Sequence, residues 1–225
     1  MWTNLTFRGF DYGWQSYQRP PRLPHVVSIC TSPPIDEPLT LDEAKLRAGF
    51  TWPSPDERDD LITSFISAAR QQVEHDTGLA LLLQTREVYF DVVTSSVIIL
   101  PEHSLPLQDV TSVAWTDMDG TSTTLDPTEY VVDYVSGRIQ LGSTFALPPP
   151  NVRSFQAWKI IIEAGWPDPA TLRDHEPKLW HMVGLLIAHW STLGRDLASI
   201  ERGTLDKIPM GYDELLAAYA PIAVI

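Results

Sequence analysis

The sequence of 225 residues contains a single cysteine, Cys30, and no apolar run long enough for a transmembrane helix. One cysteine excludes an internal disulfide and a zinc site built from several thiolates. The strongly apolar stretch at residues 179–190 contains two histidines and predicts a buried helix. The N-terminus lacks a charged segment followed by an apolar run, so we expect no secretory signal and a reducing, cytoplasmic environment.

Positive charge is also scarce, with 16 lysines and arginines against 29 aspartates and glutamates and a net charge of −13. Tight DNA binding needs clustered cations that contact phosphates, and no segment of the chain carries such a cluster. An acidic surface repels phosphate, so DNA could pass close to it without adhering. The composition therefore argues against a protein that binds DNA tightly. It does not argue against a protein past which DNA moves.

Catalytic motifs are missing as well. The chain has no G-x-S-x-G, no H-E-x-x-H and no phosphate-binding G-x-x-x-x-G-K. His103, Ser104 and Asp109 are close in sequence, but a catalytic triad is recognised by its spatial geometry. We therefore expect no catalytic residues and no enzyme activity. The competing hypothesis is a hydrolase whose acidic residues are brought together only by the fold.

Two sequence patterns resemble metal-binding sites, but neither has the spacing that such a site needs. The DMDG stretch at 117–120 resembles the start of a calcium loop, but its glycine comes two places early and the twelfth position is Thr128. A hairpin turn explains it better. His181 and His189 are eight residues apart, which turns them about 80° away from each other on a helix. We expect no metal site and no cofactor.

Residues 1–38 predict an extended arm, because no strand or helix period is visible and six prolines favour extended backbone. Disordered tails are usually poor in aromatic residues, whereas this arm is rich in them. We expect these side chains to contact the body of the protein or a neighbour, although an unstructured terminus is the alternative. The aromatic residues are Trp2, Phe7, Phe10, Tyr12, Trp14 and Tyr17.

Residues 40–78 predict two helices. Thr40 and Glu43 form a capping box at the start of the first helix, and Gly78 ends the second. An acidic cluster lies in the first turns of the second helix, where the helix dipole favours negative charge. This cluster consists of Asp56, Glu57, Asp59 and Asp60. Capping chemistry explains it more simply than a metal or catalytic site.

Residues 79–166 predict about five to six strands, with turns at 118–121 and around Ser136 and Gly137. Helices return at 174–220. There Asp174 is the expected cap, Pro177 lies in a first turn, and the helix at about 175–194 is apolar on most sides. The fold class is α+β: a small α-helical bundle that carries an inserted antiparallel β region.

The C-terminal helix at 208–220 predicts a docking element. One of its faces is apolar and is formed by Tyr212, Leu215, Leu216 and Tyr219. An uncharged tail follows, with Pro221, Ile222 and Ile225 as its contact residues. The alternative is that this helix folds back on the chain's own bundle. The predicted organisation is an arm at 1–38 and one domain at 39–225.

The order of several segments resembles the head–tail connector (adaptor) proteins of tailed bacteriophages. The segments are PLTLDEAKLRAGF at 38–50, ISAARQQVEHDTG at 66–78, TLDPTEYVV at 124–132 and the closing pattern P-x-G-x-x-x-L-L-x-x-Y. The resemblance covers residues 38–221. The arm lies outside it, and the PIAVI ending replaces the basic residue that follows the tyrosine in many relatives.

The resemblance implies a structural protein of the virion neck, made in the bacterial cytoplasm. Such adaptors form a ring of about a dozen copies beneath the portal protein, extend the DNA channel and carry stopper, neck or tail proteins. It implies that the C-terminal helix and tail dock on the portal or on a neighbouring subunit. The acidic cluster is our candidate for the channel lining, and the arm would contact a neighbouring subunit, a neck protein or a tail fibre.

DNA would pass through such a ring without sequence-specific binding, and no membrane would be involved. A different function remains open beside this one. The eight tryptophans and the β region would also suit a glycan- or receptor-binding module of a tail or fibre assembly.

Overall fold

The computed structural model describes residues 26–143, 145–193 and 210–219. The strands are β1 Val26–Ser32, β2 Gln84–Phe90, β3 Val97–Ile99, β4 Leu107–Thr116, β5 Ser122–Thr124, β6 Tyr130–Asp133, β7 Arg138–Leu141 and β8 Trp158–Ala164. The helices are α1 Leu41–Arg47, α2 Asp59–Thr77, α3 Pro169–His175, α4 Pro177–Leu193 and α5 Met210–Leu216, with a short 3-10 turn at Pro127–Glu129. The fold is α+β, as the sequence predicted.

Two antiparallel sheets pack face to face. The larger sheet has the strand order β1-β2-β8-β4-β5, and the smaller has the order β3-β7-β6. Every second residue of β2 and β8 is buried, which is the alternation expected of strands that cover a core on one side. Val88, Ile139, Trp158 and Ile160 are among the side chains that fill this core.

A second apolar core lies inside the helical bundle. Ile66 and Val73 of α2 pack with Met182 and Leu186 of α4, and these side chains are buried. α4 is buried on several sides because α1, α2, α3 and α5 all contact it. Strands β2–β8 lie in sequence between α2 and α3, while β1 precedes α1 and joins the same sheet as β2.

Local signals set the helix ends as predicted. Thr40 and Glu43 form the reciprocal capping box, and Gly78 ends α2 with a left-handed φ of 70°. Gly165, after β8, has a φ of 110°, and a Cβ placed there would lie 2.1 Å from the carbonyl oxygen of Leu82. Only glycine fits this junction between sheet and bundle.

Three local predictions need correction. The region predicted as an arm ends in β1, which pairs with β2 from Val26 opposite Phe90 to Ser32 opposite Thr85. Asp174 does not cap a helix. It lies inside α3, whose cap is Asp168, followed by proline. The described part of residues 79–166 contains seven strands rather than five or six, because the short polar β5 carries little sequence signal.

Candidate docking surfaces

The C-terminal helix α5 packs on the helical bundle of its own chain. The Tyr212 side chain is 1% exposed, and its hydroxyl donates a 2.6 Å hydrogen bond to Oδ2 of Asp76 at the end of α2. The Tyr219 hydroxyl donates a 2.6 Å hydrogen bond to Oε2 of Glu176, just before α4. Burial, together with the neighbouring carboxylate, raises the pKa of each phenol well above its ordinary value.

Leu215 and Leu216 are half-buried against the same bundle. The helix is shorter than the predicted 208–220, and Tyr219 lies in the turn after it. All four residues predicted to form the apolar face nevertheless pack on the same side, against the chain's own helices. This is the alternative that the sequence had left open. The tail residues Pro221, Ile222 and Ile225 lie outside the described residues.

The acidic cluster was predicted in the first turns of α2, but Asp56 and Glu57 precede the helix, which begins at Asp59. The cluster is partly paired with cations. Both carboxylate oxygens of Asp56 accept hydrogen bonds from the Arg58 guanidinium, at 2.6 and 2.8 Å, which holds the pKa of Asp56 well below its usual range. Asp59 accepts from Nζ of the buried Lys45 at 2.5 Å and from Nε1 of Trp52 at 3.2 Å. The hydrogen bond from Lys45 is the main reason that the pKa of Asp59 falls to about 2.

The four acidic residues are thus not equivalent. Asp56 and Asp59 hold the loop before α2 in place, and their charges are matched by Arg58 and Lys45. Glu57 and Asp60 are exposed to solvent. A surface that repels DNA would depend mainly on these two.

The arm residues Trp2, Phe7, Phe10, Tyr12, Trp14 and Tyr17 lie outside the described residues. What the structure adds is the strand that follows them. β1 forms one edge of the larger sheet, and its seven residues carry no charge. The side chain of Ile29 on this strand is exposed.

The candidate catalytic and metal-binding residues do not come together. The hydroxyl of Ser104 is buried with no hydrogen-bond partner, and no hydrogen bond joins it to His103 or Asp109. Oδ1 of Asp117 accepts hydrogen bonds from the backbone of Asp119 and Thr121, as expected of a hairpin turn. The part of the chain that the structure describes has no group of three histidine, cysteine, aspartate or glutamate side chains placed to hold a metal ion. Nor does it contain a helix that could cross a membrane.

One surface was not anticipated from the sequence. On the outer side of the smaller sheet, Ile99 of β3 is 65% exposed and Val131 of β6 is 71% exposed, and Val97 of β3 is 38% exposed. Arg138 and Gln140 of β7 lie between these two strands on the same side. Tyr134 and Val135 extend this apolar patch into the turn after β6. The alternation of residues in β3 and β6 could have predicted which side chains face outwards. Exposed apolar surface of this kind often marks a protein contact.

Comparison with solved structures shows where this fold occurs. A chain from the virion of a native gene transfer agent (GTA) particle is 18% identical and superposes with a TM-score of 0.67, over 88% of this chain and 97% of that one. A chain from the neck of an empty GTA particle computed with C6 symmetry is 20% identical, with a TM-score of 0.68 over 89% and 97%. The neck of a native GTA particle computed with C12 symmetry contains a chain that is 20% identical, with a TM-score of 0.54 over 84% and 96%. No protein-family model and no curated protein matches the sequence.

Proposed function

We propose that this chain is a structural component of the neck of a phage-like particle, a head–tail connector (adaptor) that forms a ring of about a dozen copies beneath the portal. The observation that carries the proposal is the shared fold with chains from GTA necks, over 84 to 89% of this chain and nearly all of those chains. The sequence resemblance to phage adaptors over residues 38–221 points independently to the same class.

A ring needs surfaces through which copies contact one another. The apolar patch around Ile99 and Val131 is a suitable surface, because it is exposed in the single chain and lies on a rigid sheet. The arm residues 1–25 precede the edge strand β1 and would reach a neighbouring copy, a neck protein or a tail fibre. Burial of apolar side chains would favour both contacts.

The ring would extend the channel through which DNA leaves the head. In that position the acidic character of the chain lets DNA slide without adhering. We assign the channel surface to Glu57 and Asp60 in particular, since Asp56 and Asp59 are neutralised by their cationic partners. The protein would contact DNA without reading its sequence.

Docking on the portal would rely on the tail at Pro221, Ile222 and Ile225. Tyr212, Leu215, Leu216 and Tyr219 hold α5 on the bundle, so the helix supports the tail and need not act as the anchor itself. Burying a large apolar side chain contributes roughly 1.5–3 kcal/mol, while association costs on the order of 4–15 kcal/mol. One tail would bind weakly, and a ring of tails would bind tightly through effective concentration.

The experiment compares the full chain with a chain that ends at residue 219, each tagged and purified gently from cells that produce particles. We expect the full chain to bring down portal protein and rings visible by negative stain, and the shortened chain to lose the portal. Circular dichroism controls for folding of the shortened chain. Recovery of the full chain without any particle protein would refute the neck assignment. Nanomolar binding of one chain to one portal subunit would refute the avidity argument alone.

The glycan-binding alternative receives less support. Such modules need exposed aromatic platforms, whereas all six tryptophans among the described residues are buried or half-buried. Binding to a glycan array by a chain that forms no ring would favour that alternative.

A further inference from the structure

A hydrogen-bonded chain of buried side chains lies beneath the edge strand β1, away from the surfaces considered above. It links the loop before α1 with α2, β2 and β1. In order, its members are Glu37, Arg70, Glu74, Gln84, Arg86 and Ser28. Arg70, Glu74, Gln84 and Arg86 are each less than one tenth exposed.

The two arginines of this chain differ in how their charge is matched. Arg70 is paired with two carboxylates, Glu37 at 2.8 Å and Glu74 at 2.9 Å. Arg86 donates only to neutral groups, from Nε to the hydroxyl of Ser28 at 2.9 Å and from Nη1 to Oε1 of Gln84 at 3.3 Å. Within the described residues, no carboxylate lies within 4 Å of Arg86, and its Nη2 donates no hydrogen bond.

Such an arrangement is costly for a guanidinium that is only 9% exposed. Burial lowers the pKa of Arg86, and the attraction of Glu74 only partly opposes this effect. The direction of the shift reflects the cost of keeping the charge out of water. Glu74 is the closest acidic candidate, but its oxygens already accept from Arg70, from Gln84 and from the backbone of Leu81. The positive charge of Arg86 therefore remains open to a further partner.

Arg86 borders an open cavity of about 400 Å³. The same wall includes Cys30, His75, Gln84 and His103. It also includes Arg70 and Glu74, whose opposite charges are paired with each other. Burial and the charge of Arg86 lower the pKa of His103, whose ring also bonds to the backbone of Leu79. A metal cation would be repelled by Arg86, whereas an oxyanion would meet the charged fork of its guanidinium.

We infer that this cavity binds a small oxyanion, a carboxylate or a phosphate group, through the free Nη donors of Arg86. The site is separate from the proposed portal and ring contacts, and it does not depend on the neck assignment. The bound anion would neutralise the buried charge and complete the hydrogen bonds of the guanidinium. It would also stiffen the attachment of β1 to the sheet, because Arg86 holds Ser28 of that strand.

Cys30, the only cysteine of the chain, is exposed on the cavity wall and serves as a probe of the local charge. The full chain is alkylated at low salt with iodoacetate, which is anionic, and with iodoacetamide, which is neutral. Both reagents react with the thiolate of Cys30, so a change in the thiolate fraction alters both rates equally and leaves their ratio unchanged. We expect Arg86→Gln to lower this ratio about threefold, the factor that one nearby charge gives even in water. Arg86→Lys keeps the charge and should keep most of the ratio, and Arg138→Gln on the other sheet should leave it unchanged.

A second measurement uses the unaltered protein, so that it does not depend on a variant that folds. Inorganic phosphate or acetate is titrated against the iodoacetate reaction, with chloride at the same ionic strength as the control. Saturable protection of Cys30 by either anion supports the site and identifies the chemistry it prefers. Equal effects of phosphate, acetate and chloride would overturn the inference, as would an unchanged rate ratio in a folded Arg86→Gln protein.

Discussion

Gly184 of α4 lies directly beneath the side chain of Arg47 of α1. A Cβ placed on Gly184 would lie 2.5 Å from Cδ of Arg47 and 2.8 Å from its Nε. The absence of that atom lets the guanidinium stack 4.1 Å over the ring of Trp180 and place Nη1 3.0 Å from Nδ1 of His181. One glycine thus allows α1 to hold α4 through an arginine.

Gly184→Ala should displace the Arg47 side chain without unfolding the bundle. Alanine favours the helix by about 1 kcal/mol, and the lost cation–π contact costs about 0.5–1 kcal/mol. We expect the free energy of unfolding, measured in urea, to change by less than about 1 kcal/mol in the native background. In an Arg47→Ala background, Gly184→Ala should stabilise the protein, because the new methyl group no longer meets the arginine side chain. Equal destabilisation in both backgrounds would mean that the backbone, not the arginine, resists the new methyl group.

Arg47 also contributes to the lowered pKa of His181. Burial and the positive charge of Arg47 lower the pKa of His181, so protonation disfavours the folded state. The stability contributed by the neutral imidazole is complete above the unfolded pKa of about 6.5 and is lost as pH falls through the lower folded pKa. We expect Arg47→Ala to raise the pKa of His181, as followed by NMR, and to reduce this loss. Arg173→Ala is the matched control, since Arg173 also lies over Trp180 but does not bond to His181. If the pKa of His181 is the same in Arg47→Ala as in the wild type, burial alone lowers it.

The sequence predicted those features whose cause lies within a few neighbouring residues. Thr40 and Glu43 are three residues apart, and Gly78 follows directly on its helix, so the caps could be read from the sequence alone. The apolar face of α5 was also predictable from its period. What that face contacts was not, because Asp76 is 136 residues from Tyr212 in sequence.

The features that were missed depend on pairing between distant segments. β1 is a strand because it lies beside β2, and nothing in its short uncharged run separates it from the proline-rich arm before it. Ser28 and Arg86, which meet beneath that strand, are 58 residues apart. The glycine that accommodates Arg47 has no local signature at all. Periodicity predicts which side of an element is apolar, but it does not predict the partner.

Tyr212→Phe should destabilise the protein more than Tyr219→Phe does. The Tyr212 side chain is buried and its hydroxyl bonds to the half-buried carboxylate of Asp76. Removal of a hydrogen bond to a charged group costs about 1.5–3 kcal/mol. Tyr219 is only half-buried, so water can replace its hydroxyl at Glu176. The measurement is the urea midpoint of each variant at constant m-value. Similar losses for both, or none for Tyr212→Phe, would mean that α5 is not held on the bundle by the Asp76 contact.

Asp59→Asn should be more destabilising than Lys45→Met. Removing the carboxylate leaves the ammonium of Lys45 buried without an ionic partner, whereas methionine fills the same space without a charge. The pKa of Asp59 is lowered to about 2, so its contribution to stability is complete above about pH 4 and is lost as pH falls towards 2. Acid titration of unfolding should therefore bring wild type and Asp59→Asn together at low pH. A difference that stays constant with pH would exclude the ion pair as its source.

Ile99→Glu should block incorporation of the chain into particles while leaving the single chain folded. Ile99 is 65% exposed and lies opposite Arg138 on β7, so a glutamate there gains a cross-strand partner and costs the fold little. In a ring contact the same carboxylate would be buried against apolar side chains, which is unfavourable without a partner. Met118→Glu is the matched control, because Met118 is 71% exposed but lies in the β4–β5 turn, away from the patch. Both variants are tagged and recovered with particle necks. If both variants are incorporated equally, the ring contact does not involve the smaller sheet. The arm would then be the surface between copies.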